Sequence, residues 1–217
     1  MAPTDRDDPG VSVLDFLVTM TTQVPADKAA ADVAEMRARE GARAVELAEQ
    51  GTLLRLWRPP LQPGEWRTLG LFTAPDENSL ETDLASMPLR AWRTDEVTPL
   101  AAHPNDPHGD PRPHAVEYLV AMTIVVPADV THDVAEDTFA READRARHLS
   151  ADGHLSRLWA LPPVAGHPHT LGLWTAADEQ QLTAVISDLP LYPWMDYQVT
   201  PLSEHPSDPA RQPRARS

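Results

Sequence analysis

The chain repeats itself once, without a gap, at an offset of 102 residues, and this constrains its fold more than any other feature. Phe16–Asp27 reads FLVTMTTQVPAD, and Tyr118–Asp129 reads YLVAMTIVVPAD. The same offset relates Arg55-Leu56-Trp57 to Arg157-Leu158-Trp159, and Thr68-Leu69-Gly70-Leu71 to Thr170-Leu171-Gly172-Leu173. It also relates Val97-Thr98-Pro99-Leu100 to Val199-Thr200-Pro201-Leu202, and His103-Pro104 to His205-Pro206. Two copies are too few for a solenoid, so the expectation is a fused pseudo-dimer. The expected divisions are a first repeat at 12–102, a Pro-rich linker at 103–114, a second repeat at 115–204 and a flexible tail at 205–217.

Each copy reads as strand, helix, strand, strand, helix, strand. Phe16–Val24 is apolar and β-branched and ends at Pro25. Asp27 is the expected cap of a helix that runs to about Gln50, where Gly51 stops it. Leu53–Arg58 and Thr68–Thr73 are the next strands. Asp76 caps a second helix carrying Leu80, Leu84 and Met87, and Asp95–Leu100 is a last strand. The order βαββαβ is ferredoxin-like: an antiparallel sheet with both helices on one face. The other face needs cover, which a second copy supplies. The expected fold class is therefore α+β, two ferredoxin-like βαββαβ repeats forming an intrachain dimeric αβ barrel.

Composition removes several functions. Eighteen Lys and Arg stand against 33 Asp and Glu, a net charge of −15, which repels phosphate backbones and argues against nucleic acid. There is no cysteine, so disulfides, thiolate catalysis and cysteine metal sites are excluded, and a reducing compartment fits. The N-terminus MAPTDRDDPG lacks the apolar core of a signal peptide, and no apolar run reaches bilayer length. A cytoplasmic location without membrane association is expected. The nine histidines form no HxH or HxxxH cluster completed by acids, so no metal is expected.

Two patterns point to chemistry. Val33, Met36, Glu40, Ala44 and Leu47 form one helical seam with a carboxylate at its centre, and Ala135, Thr138, Glu142, Ala146 and Leu149 form its counterpart. An acid on a core-facing seam has its pKa raised by burial, which suits a general base for carbon acids. The alternative is an ion pair with Arg37, Arg43 or Arg55, or a side chain that reaches back to water. On the second strand, Arg55 and Trp57 (Arg157 and Trp159 in the second copy) can clamp a substrate carboxylate beside an indole wall. The alternative there is an arginine that neutralises the helix glutamate, with tryptophan as plain core. Arg58 has Ala160 as its counterpart, so the two sites differ chemically. His169, equivalent to Arg67, can face a site mouth or lie on the surface.

The strings YLVAMTIVVP, AREADRARHLSADGHLSRLWALP and LPLYPWMDYQVTPLSEHPSDP in the second copy resemble the muconolactone isomerase family. The first copy resembles it through LRLWRPP and MPLRAWRTDEVTPLAAHPNDP. The resemblance implies a cofactor-independent isomerase that shifts a double bond in a small unsaturated lactone bearing a carboxymethyl group. It places the family's helix glutamate on Glu40 and Glu142, and its post-tryptophan arginine on Arg58 alone. The family's usual first-strand lysine is replaced by Thr19 and Ala121. A small-molecule substrate is implied, and assembly of fused pseudo-dimers into homo-oligomers is left open. Two other expectations stand beside this one: a repurposed cyclase, dehydratase or isomerase acting on a larger biosynthetic intermediate, and a non-catalytic binding or scaffold barrel.

Overall fold

The computed structural model describes residues 13–109 and 115–211. The N-terminal stretch, residues 110–114 of the expected linker and residues 212–217 of the expected tail lie outside the described residues. The described residues fall into two compact units: 13–99 with 204–211, and 100–109 with 115–203.

In the first repeat β1 is Leu14–Thr22, α1 Ala30–Glu49, β2 Leu53–Arg58, β3 Arg67–Ala74, α2 Glu77–Ser86 and β4 Arg93–Ala102. In the second, β5 is Val116–Ile124, α3 His132–Ala151, β6 Leu155–Val164, β7 His167–Ala176, α4 Glu179–Ser187 and β8 Met195–Glu204. Both follow the expected βαββαβ order, with neighbours β4-β1-β3-β2 in the first and β8-β5-β7-β6 in the second. The fold class is α+β, that of the dimeric αβ barrels, carried by two ferredoxin-like repeats in one chain.

Alternation along β1 explains the first unit's core. Phe16, Val18 and Met20 are buried while the residues between them are only half so. They pack with Leu56, Phe72, Ala44, Leu47, Leu80 and Leu84, joining sheet to both helices. Tyr118, Val120, Met122, Ala146, Leu149, Trp174, Leu182 and Ile186 repeat that core in the second unit. Both faces of β3 are out of water: Phe72 on the helix side, and Leu69 and Leu71 on the other. A Cβ on Gly70 would lie 2.4 Å from a Phe72 ring carbon and 2.9 Å from the Met20 methyl, so this in-strand glycine marks a close approach.

The helix ends follow local chemistry with one departure. Gly51 and Gly153, at φ +80° and +71°, end α1 and α3 in the left-handed region that glycine adopts freely. Asp76 caps α2 by accepting from the Ser79 amide at 2.7 Å, as expected. Asp27, however, does not cap α1. The chain first closes a turn, Lys28 N–H to the Pro25 carbonyl, and the helix starts beyond Ala29 with no side-chain cap. The turn forced by Pro25 delays helix entry by two residues.

The expected loose tail also differs. Asp208 is only 2% exposed. It accepts from Arg55 Nε at 3.2 Å, Arg55 Nη2 at 3.1 Å and the Leu56 amide at 3.1 Å. Within the second unit Asp106, part of the expected linker, does the same for Arg157 Nε at 3.0 Å and the Leu158 amide at 2.9 Å. A carboxylate that satisfies a strand amide and a half-buried guanidinium together holds its segment in place, although the segment forms no regular ladder.

Candidate functional site

The first unit contains a cavity of about 440 Å³. Its floor is apolar, from Met20, Leu56, Ala44, Met87 and Leu89. Its polar groups come from four places: Arg37 and Glu40 on α1, Arg58 at the end of β2, Glu65, Trp66 and Arg67 before and at the start of β3, and Arg93 on β4. The segment His205–Ser207 completes the wall.

Glu40 is held in place by local structure at the end of α2. Met87 leaves the helix in an extended conformation and Pro88 begins a 3₁₀ turn through Trp92, so the Leu89 amide is a first-turn donor with no partner inside the turn. It donates to Glu40 Oε2 at 2.8 Å. Arg93 Nη1 donates to Glu40 Oε1 at 2.7 Å. The Glu40 side chain is 14% exposed and that of Arg93 only 2%. Burial raises the Glu40 pKa above the ordinary 4.5, outweighing the opposing pull of the Leu89 amide and of Arg93. Arg93 is shared, since its Nε lies 2.6 Å from Asp95 Oδ1. Asp95 also binds Arg90, which reaches Glu81 at 2.8 Å. Sharing leaves Glu40 with less than a full counter-charge, consistent with the direction of its shift.

The other cations have distinct environments. Arg37 lies over the Trp66 ring at 4.1 Å. Arg67 pairs with Glu65 at 3.6 Å. Arg58 is exposed at its strand end and close enough to His205 to depress that ring's pKa.

Glu40 and Arg58 are thus brought to one cavity, whereas Arg55 and Trp57 do not line it. Arg55 is bound to Asp208 and stacks on the buried Trp57 at 4.7 Å. The anchor of Arg55 is the Asp208 side chain rather than Glu40, while Trp57 is core, as the second alternative had it. Arg157 and Trp159 repeat it at 4.7 Å with Asp106.

In the second unit Glu142 accepts from the Leu191 amide at 3.0 Å, and burial again raises its pKa, opposed by that amide and by Arg145. Here the counterparts of Arg93, Asp95 and Arg90 are Met195, Tyr197 and Tyr192, and the two tyrosine rings lie 6.2 Å apart. His169 sits in the β6–β7 hairpin with Nδ1 3.4 Å from the Pro162 carbonyl oxygen. Arg37 and Trp66 are replaced by Phe139 and Pro168. Of the two seams, Ala44, Leu47, Thr138, Ala146 and Leu149 are buried, whereas Val33, Met36, Ala135 and both glutamates are partly buried.

Sequence reasoning missed Arg93 as the partner of Glu40, the Leu89 amide and the two anchoring aspartates. The divergence of MPLRAWRTDE from LPLYPWMDYQ was the available signal for Arg93. The recurrence of Asp106 and Asp208 at the repeat offset was the signal for the anchors. Among the described residues no group of three His, Asp or Glu side chains comes together to hold a metal, and no helix is long and apolar enough to cross a membrane.

Comparison with known proteins adds a family. The muconolactone delta-isomerase family model matches residues 14–106 and again 116–208. A muconolactone delta-isomerase of Cupriavidus pinatubonensis is 34% identical over 90 residues, 42% of this chain and 95% of that protein. One of Pseudomonas aeruginosa is 33% identical, over 42% and 91% respectively. A solved chlorite dismutase variant from Candidatus Nitrospira defluvii matches 89% of this chain and 92% of its own at a TM-score of 0.56, with 11% identity, a likeness of fold alone. With the family matched over both halves, the chain belongs to the muconolactone delta-isomerase family and carries its domain twice.

Proposed function

We propose that the first unit is a cofactor-independent isomerase site that moves a double bond in a small, anionic, unsaturated lactone. The observation that carries this reading is Glu40: a carboxylate in a cavity of about 440 Å³, its pKa raised by burial, surrounded by more arginine than acid. Such a volume suits a small ligand. Arg37 on α1 and Arg58 at the end of β2 line the same cavity as Glu40 and are, in this reading, the cations that meet the substrate anion.

In this reading Arg58 holds the substrate's carboxymethyl group, and the Glu40 carboxylate removes the allylic ring proton. The C–H electron pair enters the conjugated system and charge moves to the lactone's carbonyl oxygen, giving a dienolate. The protonated Glu40 then returns the proton to the carbon beside the carbonyl. One C–H bond breaks, one forms and the double bond shifts, so the balance needs no oxidant, reductant or second substrate. Burial that lifts the base toward the operating pH makes both transfers feasible. Arg55 and Arg157 act in this account as structural anchors, and Trp57 and Trp159 as the surfaces on which they stack.

The test is incubation of the protein with muconolactone, following the enol-lactone by proton NMR. Conversion that tracks protein concentration supports the reading, and an inert protein at substrate-saturating concentration refutes it. A second reading applies to the other unit, where Phe139, Ala160 and Met195 replace three arginines. These substitutions favour a less charged ligand at Glu142, such as a larger biosynthetic intermediate, or binding without turnover. A Glu142→Gln variant that keeps full muconolactone turnover supports this second reading.

A further inference from the structure

One group in the cavity is not used by the steps above. His205 begins the segment that belongs to the first unit although it follows β8 in sequence. Its Nδ1 accepts from the Ser207 amide at 3.2 Å, so a neutral ring must carry its proton on Nε2. The arrangement is built by the turn itself: His103 Nδ1 accepts from the Asn105 amide at 3.1 Å in the same way. Three residues beyond each histidine, the anchoring aspartate fixes the segment.

We propose that His205 is the donor for the enolate oxygen, its Nε2–H binding the lactone oxygen as Glu40 takes the proton. This rests on the proton-transfer reading of Glu40. A neutral donor suits the position. An imidazolium would attract the substrate carboxylate or the Glu40 base in the ground state, whereas a neutral N–H gains most from charge that develops only on the way to the dienolate. The surroundings keep the ring neutral. Burial, and then the Arg58 cation, lower its pKa to about 4 against the pull of Asp208. The other charged groups lining the same cavity are Arg37 and Glu40 on α1, Glu65 and Arg67 by β3, and Arg93 on β4.

Tetronic acid supplies a probe that needs no turnover, since its five-membered lactone is an enolate at neutral pH. The wild-type protein is expected to bind tetronate, with the His205 Nε2 proton moving downfield in ¹H–¹⁵N spectra. His205→Phe is expected to weaken binding by on the order of ten- to a hundredfold, the range for a hydrogen bond to a charged group. His205→Gln, which keeps an N–H donor, is expected to recover most of that loss, and Glu40→Gln to bind at least as well as wild type. Thermal melts of each variant establish folding. With muconolactone, His205→Phe lowers kcat and leaves KM nearly unchanged. Equal tetronate binding by wild type and His205→Phe, or a ring protonated on Nδ1, overturns the proposal while leaving Glu40 as the base. No tetronate binding and no muconolactone turnover by wild type overturns both.

Discussion

Replacing Asp208 by asparagine tests how the C-terminal segment is tied to the first unit. The carboxylate is almost fully buried, and it accepts from Arg55 Nε and Nη2 and from the Leu56 amide at 3.1 to 3.3 Å. Asparagine keeps the shape and one acceptor, so the strand amide stays satisfied, but its NH₂ then faces the guanidinium donor to donor. Removing one partner of a buried ion pair costs about 3–5 kcal/mol. Arg55 retains partial exposure and its stacking on Trp57, which places the loss near the lower end, about 3 kcal/mol. For a protein of this size that corresponds to a fall in Tm of roughly 6–12 °C. Differential scanning calorimetry reads the shift. Because the same segment carries His205 and Ser207 into the cavity wall, muconolactone turnover should fall further than the melt at assay temperature accounts for. Asp106→Asn, which disturbs the matching anchor in the second unit, should lower Tm comparably and spare that turnover. A Tm change below about 2 °C for Asp208→Asn would refute the reasoning.

Three further outcomes follow from the same geometry. Arg93→Met, which copies the second unit's Met195, removes a cation that lowers the Glu40 pKa, so the acid limb of kcat/KM should move to higher pH; a limb that stays or moves down contradicts the assignment. His205 has a folded pKa of about 4 against an ordinary 6.5, so the unfolded chain takes up the proton first as pH falls. Its contribution to stability is therefore present above about pH 6.5 and lost progressively toward about 4, and urea melts of His205→Gln over that window should show a shallower decline than wild type. Gly70→Ala should cost about 1–3 kcal/mol by overpacking against Phe72 and Met20, read as a lower urea midpoint at unchanged m-value, and a neutral result would contradict the close approach.

The fold was legible because its determinants are local and stated twice. Alternation along Phe16–Met20, the helical seam ending in Ala44 and Leu47, and the Asp76 cap each follow from residues within a few positions of one another. Glu40 was legible for the same reason, as a polar break in that seam. Its environment was not. Arg93 lies 53 residues away on a strand whose alternation of charged residues reads as a solvent face, yet Arg93 and Asp95 are among the most buried charges of the unit. Asp208 lies 153 residues from Arg55, in a Pro-rich stretch whose composition argues against regular structure. Composition is silent on a single buried carboxylate that pins such a stretch, and so the tail was expected to be loose. Asp27 failed as a cap because a proline turn intervened, a competition between two local signals of similar strength.

The role of Glu40 as the base is tested most directly by the muconolactone turnover of Glu40→Gln beside that of Glu142→Gln. The glutamine keeps the acceptor for the Leu89 amide; it removes the ability to carry the proton and, with the charge, the ion pair to Arg93. A fall of about 10²–10⁴ in kcat for Glu40→Gln, in a variant that melts lower than wild type but is still folded at the assay temperature, is the expected result. Turnover by Glu40→Gln equal to wild type would contradict it.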